Sequence, residues 1–312
     1  MPSKTSGLFE FTLLLLLGLL WGIPYALTKI SLATIPPLTL VAARVAIAAV
    51  TLWLIAFSQG LKVPTQRWLA GRLFVQGCIG CVVPYTLITL GQQTVHSSLA
   101  AILNSTGPVF VCLINLIWIR REPESFGRVI GVAIGLGGVI LIAGVSALLD
   151  FGRTTLGQLA IIVATFSSAA AVIHGRRFAT IAPELAAAGT LSCAAVVMMP
   201  LCFLFESPLS SQPTIGAFVA LLLNAIIATA IGFVVYFRLI RTIGSTSTAS
   251  VGYLKLAFGV LIGCTFMGEP LTWTAATGLT AILSGVAIIN QVDLSRRGPA
   301  WLASKAKVGV AH

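Results

Sequence analysis

Residues 247–270 read STASVGYLKLAFGVLIGCTFMGEP, an apolar run from Ser247 to Met267 with one charge, Lys255, near its middle, closed by Gly268-Glu269-Pro270. As a helix rising 1.5 Å per residue, such a run covers about 30 Å, the hydrocarbon thickness of a bilayer. An ammonium placed at that depth costs about 3 kcal/mol on insertion scales, so it calls for a functional reason. The rest of the chain repeats the pattern. Of 312 residues, 57% are hydrophobic and 9% charged, where a soluble domain carries about 25% charge. Mean hydropathy is +1.02. Ten apolar runs are expected to be helices, at 11–31, 37–58, 68–90, 97–119, 127–148, 156–175, 185–205, 216–237, 247–267 and 272–291. The reading is an all-α integral membrane protein with ten transmembrane helices.

The leucines from Leu13 to Leu20 after Lys4 have a signal-like flavour, but the apolar run continues through Trp21 to Leu32 and is expected to be the first helix. Net charge is +11, which in a soluble chain would suggest nucleic acid. Here the charge follows topology. With both termini inside, fifteen of the nineteen basic residues fall in cytoplasmic segments, among them Arg120, Arg121, Arg176, Arg177, Arg296 and Arg297. Such an excess orients membrane proteins, so both termini are expected in the cytoplasm of a multi-pass protein with no nucleic-acid partner. All six cysteines sit in apolar runs. Cys78 and Cys81 form a CxxC with no second ligand pair, so neither a disulfide framework, a metal nor any other cofactor is expected.

Set against itself at an offset of 147, the chain aligns Glu122-Pro123 with Glu269-Pro270, Gly131 with Gly278, and Gly138-Val139 with Gly285-Val286. Five helices per half is an odd number, so the duplicated unit must enter the membrane in opposite senses. The expected organisation is a cytoplasmic N-terminus over 1–10, a first five-helix repeat over 11–148, a second over 156–291 and a cytoplasmic tail over 292–312. Inverted repeats are the architecture of secondary transporters.

The Trp21-Gly22 turn with Lys29, Arg44, the stretch Ser98-Leu99-Ala100-Ala101 to Pro108-Val109-Phe110 with Arg121-Glu122-Pro123, and Ser250-Val251-Gly252-Tyr253-Leu254 to Gly268-Glu269-Pro270 together resemble the EamA type of the drug/metabolite transporter superfamily. The resemblance implies a ten-helix carrier of the bacterial inner membrane, mostly found exporting amino acids and other small metabolites, with a cavity among helices 1, 3, 4, 6, 8 and 9. One position departs from the pattern. The ninth helix of the family usually has a proline matching Pro108, and here Leu256 stands in its place, preceded by Lys255. Without that ring, helix 9 should be straighter than helix 4.

The eight acidic residues, Glu10, Glu122, Glu124, Asp150, Glu184, Glu206, Glu269 and Asp293, all fall at helix ends, in loops or in tails. Export of cationic drugs commonly uses a membrane-embedded carboxylate, so it ranks behind anion transport. Lys255 is read as the anchor of a substrate carboxylate or phosphate. Two other readings stay open: a lysine that cycles a proton and couples transport to it, and a lysine bonded to Asn104 or to backbone. Arg44 is read first as a structural anchor and second as a substrate contact. Trp21, Tyr25, Tyr85, Asn104, Phe166, Asn224, Tyr236 and Tyr253 supply aromatic and amide groups at similar depth. Gly131, Gly135, Gly137 and Gly138, with Gly278 and Gly285, are read as packing positions or contacts of a homodimer. His96, His174 and Lys29 are read as interfacial.

No nucleophile with a base and no metal-ligand cluster lies inside the runs, so enzyme chemistry is not expected. The function read from the sequence is a secondary transporter moving a small anionic or zwitterionic metabolite, an amino acid or related carboxylate, outward by alternating access. The alternatives are an exchanger of phosphorylated or other organic anions, then a drug exporter. The exchanger would need a second basic residue facing Lys255, for which Arg44 is the candidate.

Overall fold

The structure is a computed structural model that describes residues 4–63, 66–95, 97–115, 126–149, 155–266, 273–274 and 276–289. The described chain is helical. We label α1 (Lys4–Gly22 continued by Pro24–Leu32), α2 (Pro37–Ser58), α3 (Arg67–Gly77, Cys78–Val82 and Val83–Thr94), α4 (Ser97–Ser105 and Gly107–Ile114) and α5 (Phe126–Leu149). They are followed by α6 (Thr155–Gly175), α7 (Pro183–Phe205), α8 (Ile215–Leu223, Asn224–Ile231 and Gly232–Thr242) and α9 (Val251–Phe266), and by α10 (Ala276–Ile289). Among the described residues six helices, α1, α2, α3, α6, α7 and α8, are long and apolar enough to cross a membrane. Shorter apolar stretches lie in α4, α5 and α10.

Where each helix bends, a residue type explains it. Pro24 has no N–H to offer Leu20, and α1 turns at Ile23. Pro84 does the same to Gly80, and the preceding Cys78–Val82 widens into a π turn in which Val83 N–H donates to the Cys78 carbonyl. A second π segment, Asn224–Ile231, interrupts α8 without a proline. The two π segments start within one residue of each other at the offset of 147. α4 breaks at Thr106, just before Pro108. α9 runs unbroken through Lys255 as the missing proline implies, but a separate short helix, Ser245–Ala249, precedes it and the chain turns at Ser250. The hydroxyl-rich run before α9 explains that turn, since Ser250 Oγ donates to the Ser247 carbonyl at 2.6 Å and competes with helical hydrogen bonding.

Small residues set the closest packing. A Cβ on Gly138 would stand 2.6 Å from the Gly278 carbonyl oxygen, and one on Gly285 2.6 Å from that of Gly131. Gly131 therefore meets Gly285 and Gly138 meets Gly278, so α5 and α10 cross antiparallel at near backbone contact. α2 and α7 also pack antiparallel. Glu206, beyond the end of α7, accepts from the Leu38 and Thr39 amides at 2.9 and 2.7 Å. Further along, Trp53 Nε1 donates to Ser192 Oγ at 2.8 Å. The carboxylate of Glu206 thus caps the free amides that open α2, where a negative charge also meets the positive end of the helix dipole. Gly137, one residue away from the seam, has no heavy atom within 4 Å of an added Cβ. Gly138→Leu should destabilise detergent-solubilised protein by about 1–3 kcal/mol through overpacking. Gly137→Leu should leave its melting temperature nearly unchanged, and comparing the two melts is the check.

Candidate functional site

One cavity of about 130 Å³ runs between the helices, with Lys255 and Arg44 both on its wall. Along α3 its lining extends from Gln76 to Gln92, about 24 Å of helix. Among the described residues no carboxylate lines it. The described acids are engaged elsewhere or peripheral: Glu206 caps α2, Glu184 lies in the first turn of α7, and Glu10 pairs with Arg238 at 3.3 Å and accepts from Thr242 Oγ1 at 2.9 Å.

Lys255 reaches the cavity from α9. Its Nζ lies 3.5 Å from Asn104 Oδ1 on α4 and 5.9 Å from the Trp21 ring centroid. Asn104 is the partner that a purely structural lysine would take. Yet 3.5 Å is a long hydrogen bond, and an ammonium has three N–H groups to place. Arg44 enters from α2. Its Nε donates to Thr229 Oγ1 at 2.7 Å, and its guanidinium carbon sits 4.1 Å from the Tyr85 ring centroid. The anchoring role and the cavity-facing role are thus combined in one side chain, with Nε held and the rest of the guanidinium lying over Tyr85.

The π segments explain why the anchors are where they are. A π turn frees carbonyls, and each such segment is served from a neighbouring helix: Trp21 Nε1 donates to Ala228 O at 3.1 Å, and Ser167 Oγ to Ile79 O at 2.7 Å. Thr229 Oγ1 donates to Asn224 O at 2.8 Å while it accepts from Arg44. The hydroxyl fills both roles at once, accepting from Arg44 and donating within its own π segment.

At the Gln76 end, aromatic rings close the cavity. Trp21 packs on Phe233 and Tyr236 with centroids 6.0 and 5.3 Å apart, and Tyr236 on Phe237 at 5.1 Å. Phe178 backs Phe237 at 5.9 Å. Gln76 is held there by His174 at 2.8 Å and donates to the Ala171 carbonyl at 3.2 Å. The other end has Thr28, Thr89 and Gln92 on its wall.

Seven of the residues singled out from sequence, Lys255, Arg44, Asn104, Trp21, Tyr25, Tyr85 and Tyr236, come together on this wall. Three do not. Tyr253 is fully buried against Gly135 and donates its hydroxyl to the Val132 carbonyl at 2.9 Å, so it fills the α5–α9 seam. Phe166 is 44% exposed and stacks edge-on with Phe110. Asn224 is buried behind the wall and donates to Thr28 Oγ1 at 3.2 Å. The Tyr253 position is explained by helix phase: two residues from Lys255 is 200° of rotation, which turns the ring to the opposite face. His174 is half-buried and bonded to the wall rather than to an interface, Lys29 is exposed as expected, and His96 lies outside the described residues. Gln76, Gln92, Thr89 and Ser168 line the cavity and were not anticipated. They share faces with Tyr85 and with the α6 seam, and their polarity inside apolar runs was the available signal.

The fold and this polar cavity in a membrane-spanning bundle define a transporter. The sequence model of the EamA-like transporter family matches residues 8–144 and again residues 155–291, and the chain belongs to that family. It is 27% identical to the transporter YoaV of Bacillus subtilis over 89% of this chain and 95% of that one. It is 26% identical to the inner membrane transporter YedA of Escherichia coli K12 over 90% of each. A solved crystal structure with 20% sequence identity superposes with a TM-score of 0.75 over 93% of this chain and 98% of its own, which supports the fold.

Because Thr229 joins Arg44 to the Asn224 carbonyl, Thr229→Val should remove a partner from one donor and one acceptor and cost about 1–3 kcal/mol of stability. Thr229→Ser should recover most of it, as read by thermal unfolding of the two variants side by side.

Proposed function

We propose that the protein is a ten-helix, inverted-repeat secondary transporter of the bacterial inner membrane with both termini cytoplasmic. It moves a small anionic or zwitterionic metabolite, an amino acid or related carboxylate, outward by alternating access. The observation that carries the substrate charge is the pairing of Lys255 and Arg44 on a cavity wall without a carboxylate among the described residues.

The inverted repeat is supported by reciprocal contacts. The offset of 147 equates Gly131 with Gly278 and Gly138 with Gly285, while the structure packs Gly131 on Gly285 and Gly138 on Gly278. Such an exchange of partners is the mark of a two-fold operation. Since α5 and α10 run antiparallel, the axis lies across the helices, in the membrane plane. α2 and α7 are equated by the same offset and are antiparallel too. Repeat units of 11–148 and 156–291 follow from this reading.

With the N-terminus inside, α3 rises from the cytoplasmic face, so the aromatic layer at Gln76 and the Glu10–Arg238 pair lie on the cytoplasmic side. On this reading Thr28, Thr89 and Gln92 line the outer end of the cavity. Release or uptake at the cytoplasmic face requires Trp21, Phe233 and Tyr236 to part. Proton coupling through Lys255 remains the second role for that residue.

A second reading, an exchanger of phosphorylated or other organic anions, is favoured by Arg44 lying on the same wall as Lys255. The drug-exporter reading stays third for want of an acid on that wall. The test is thermal stability of purified wild type and Lys255→Met against anionic, zwitterionic and cationic metabolites. A bound ligand at 100 times its Kd adds about 2.7 kcal/mol. Anions or amino acids should stabilise wild type and lose that effect in the variant, whereas equal stabilisation of both by cations would replace this reading with drug export.

A further inference from the structure

Three donors reach the cavity with hydrogen bonds to spare among the described residues. Lys255 Nζ has one long contact, to Asn104. Arg44 places Nε on Thr229, and its terminal nitrogens have no hydrogen-bond partner among the described residues. Gln92 Nε2 is buried with no acceptor at all. A ligand that satisfies this wall must be rich in acceptors. It also needs negative charge at two places. Lys255 and Arg44 line the same cavity, with Asn104 touching Lys255 and Tyr25 sharing the wall with both cations.

The same wall offers little to an ammonium. A ligand cation is held most strongly by a carboxylate or an open aromatic face. No carboxylate is present among the described lining residues, the Tyr85 face is held by Arg44, and the Trp21 face is held by Lys255. Trp21, Phe233 and Tyr236 otherwise spend their faces on one another. A zwitterion would bring its positive end into a site that already carries two uncompensated positive charges.

We propose that the cargo is a small dicarboxylate dianion without an amino group, one carboxylate held at Lys255 and the other at Arg44. This rests on the carrier reading above and narrows its substrate class. The probes are succinate, its monomethyl ester, aspartate and glycerol 3-phosphate, titrated against full-length protein in detergent at fixed ionic strength with thermal stability as readout. Succinate should bind about tenfold to hundredfold more tightly than the monomethyl ester, the worth of one charge-assisted contact, and more tightly than aspartate. Arg44→Gln should erase the preference of succinate over its ester, while Arg44→Lys should keep part of it. If Arg44→Gln fails to fold, the wild-type ligand series still decides.

Aspartate binding as tightly as succinate overturns the dianion and leaves the zwitterion carrier standing. Glycerol 3-phosphate binding more tightly overturns it in favour of the phosphorylated-anion exchanger. A flat response to all four also overturns it, and a parallel stabilisation by organic cations in that case removes the anion-carrier reading as well.

Discussion

A cation inside hydrocarbon has to be solvated by the protein, and around Lys255 and Arg44 that requirement organises the centre of the molecule. Insertion costs about 3 kcal/mol for each charge. An aromatic face returns up to about 2 kcal/mol when desolvated, and each cation has one, Trp21 for Lys255 and Tyr85 for Arg44. Each also has one neutral oxygen, Asn104 Oδ1 and Thr229 Oγ1. These groups come from α1, α3, α4 and α8, so the helices that solvate the two charges are the helices that bound the cavity. Solvation is incomplete by design of the residue set: neutral dipoles and π faces stabilise a cation without neutralising it, and the remaining attraction is available to an anion.

Such a wall is served by irregular backbone, because a proline or a π turn leaves carbonyls that an unbroken helix would pair. In hydrocarbon every freed group must find a partner, so irregular backbone survives only where protein or a cavity surrounds it. The two π segments meet that condition through Trp21 and Ser167, each donating across to the other helix's exposed carbonyl. Pro24 and Pro84 lie on the cavity wall for the same reason. The breaks in α1, α3 and α8 are therefore part of the site and would be costly on a lipid-facing helix.

Much of this was readable in the sequence, and the limits have physical causes. Apolar run length located the helices well, since Pro37–Ser58 matches its expected 37–58 and the other described helices overlap their runs. Lys255 stood out because a lone charge in an apolar span has a large cost, and cost is a property of composition. Tyr253, Phe166 and Asn224 were grouped with the site by depth, which a sequence gives, whereas facing depends on helix phase and on π turns that reset it. The π segment of α8 contains no proline, so nothing local in Asn224–Ile231 announces it. Gln76 and Gln92 were passed over because an amide in an apolar helix reads equally as interhelical glue. Only the cavity distinguishes Gln92, whose buried donor is unpaired, from Gln76, whose amide is bonded on both sides.

The two family-matched halves, 8–144 and 155–291, differ in side chains at the two ends of the cavity. The offset of 147 equates Glu10 with Gly157 and Gly91 with Arg238. On one side α1 and α8 are therefore joined by an ion pair between long side chains, at 3.3 Å. On the other, α6 and α3 meet through glycines, a Cβ on Gly91 falling 3.0 Å from the Gly157 carbonyl. The two contacts respond differently to displacement. Glycine seams hold by close van der Waals contact between backbones and lose it within a fraction of the helix separation. Flexible side chains can follow helices that shift by several ångströms and remain paired. The aromatic rings lie at the ion-paired end, where Trp21, Phe233 and Tyr236 stand at positions the other half fills with Ser168, Thr86 and Thr89. A bulky, repackable plug and a compliant ion pair thus fall together at one end, and small hydroxyls with a rigid glycine seam at the other. In the proposed alternating-access cycle, rocking of the halves would have a fixed side at α3–α6 and a yielding side at α1–α8, an asymmetry carried by these side chains.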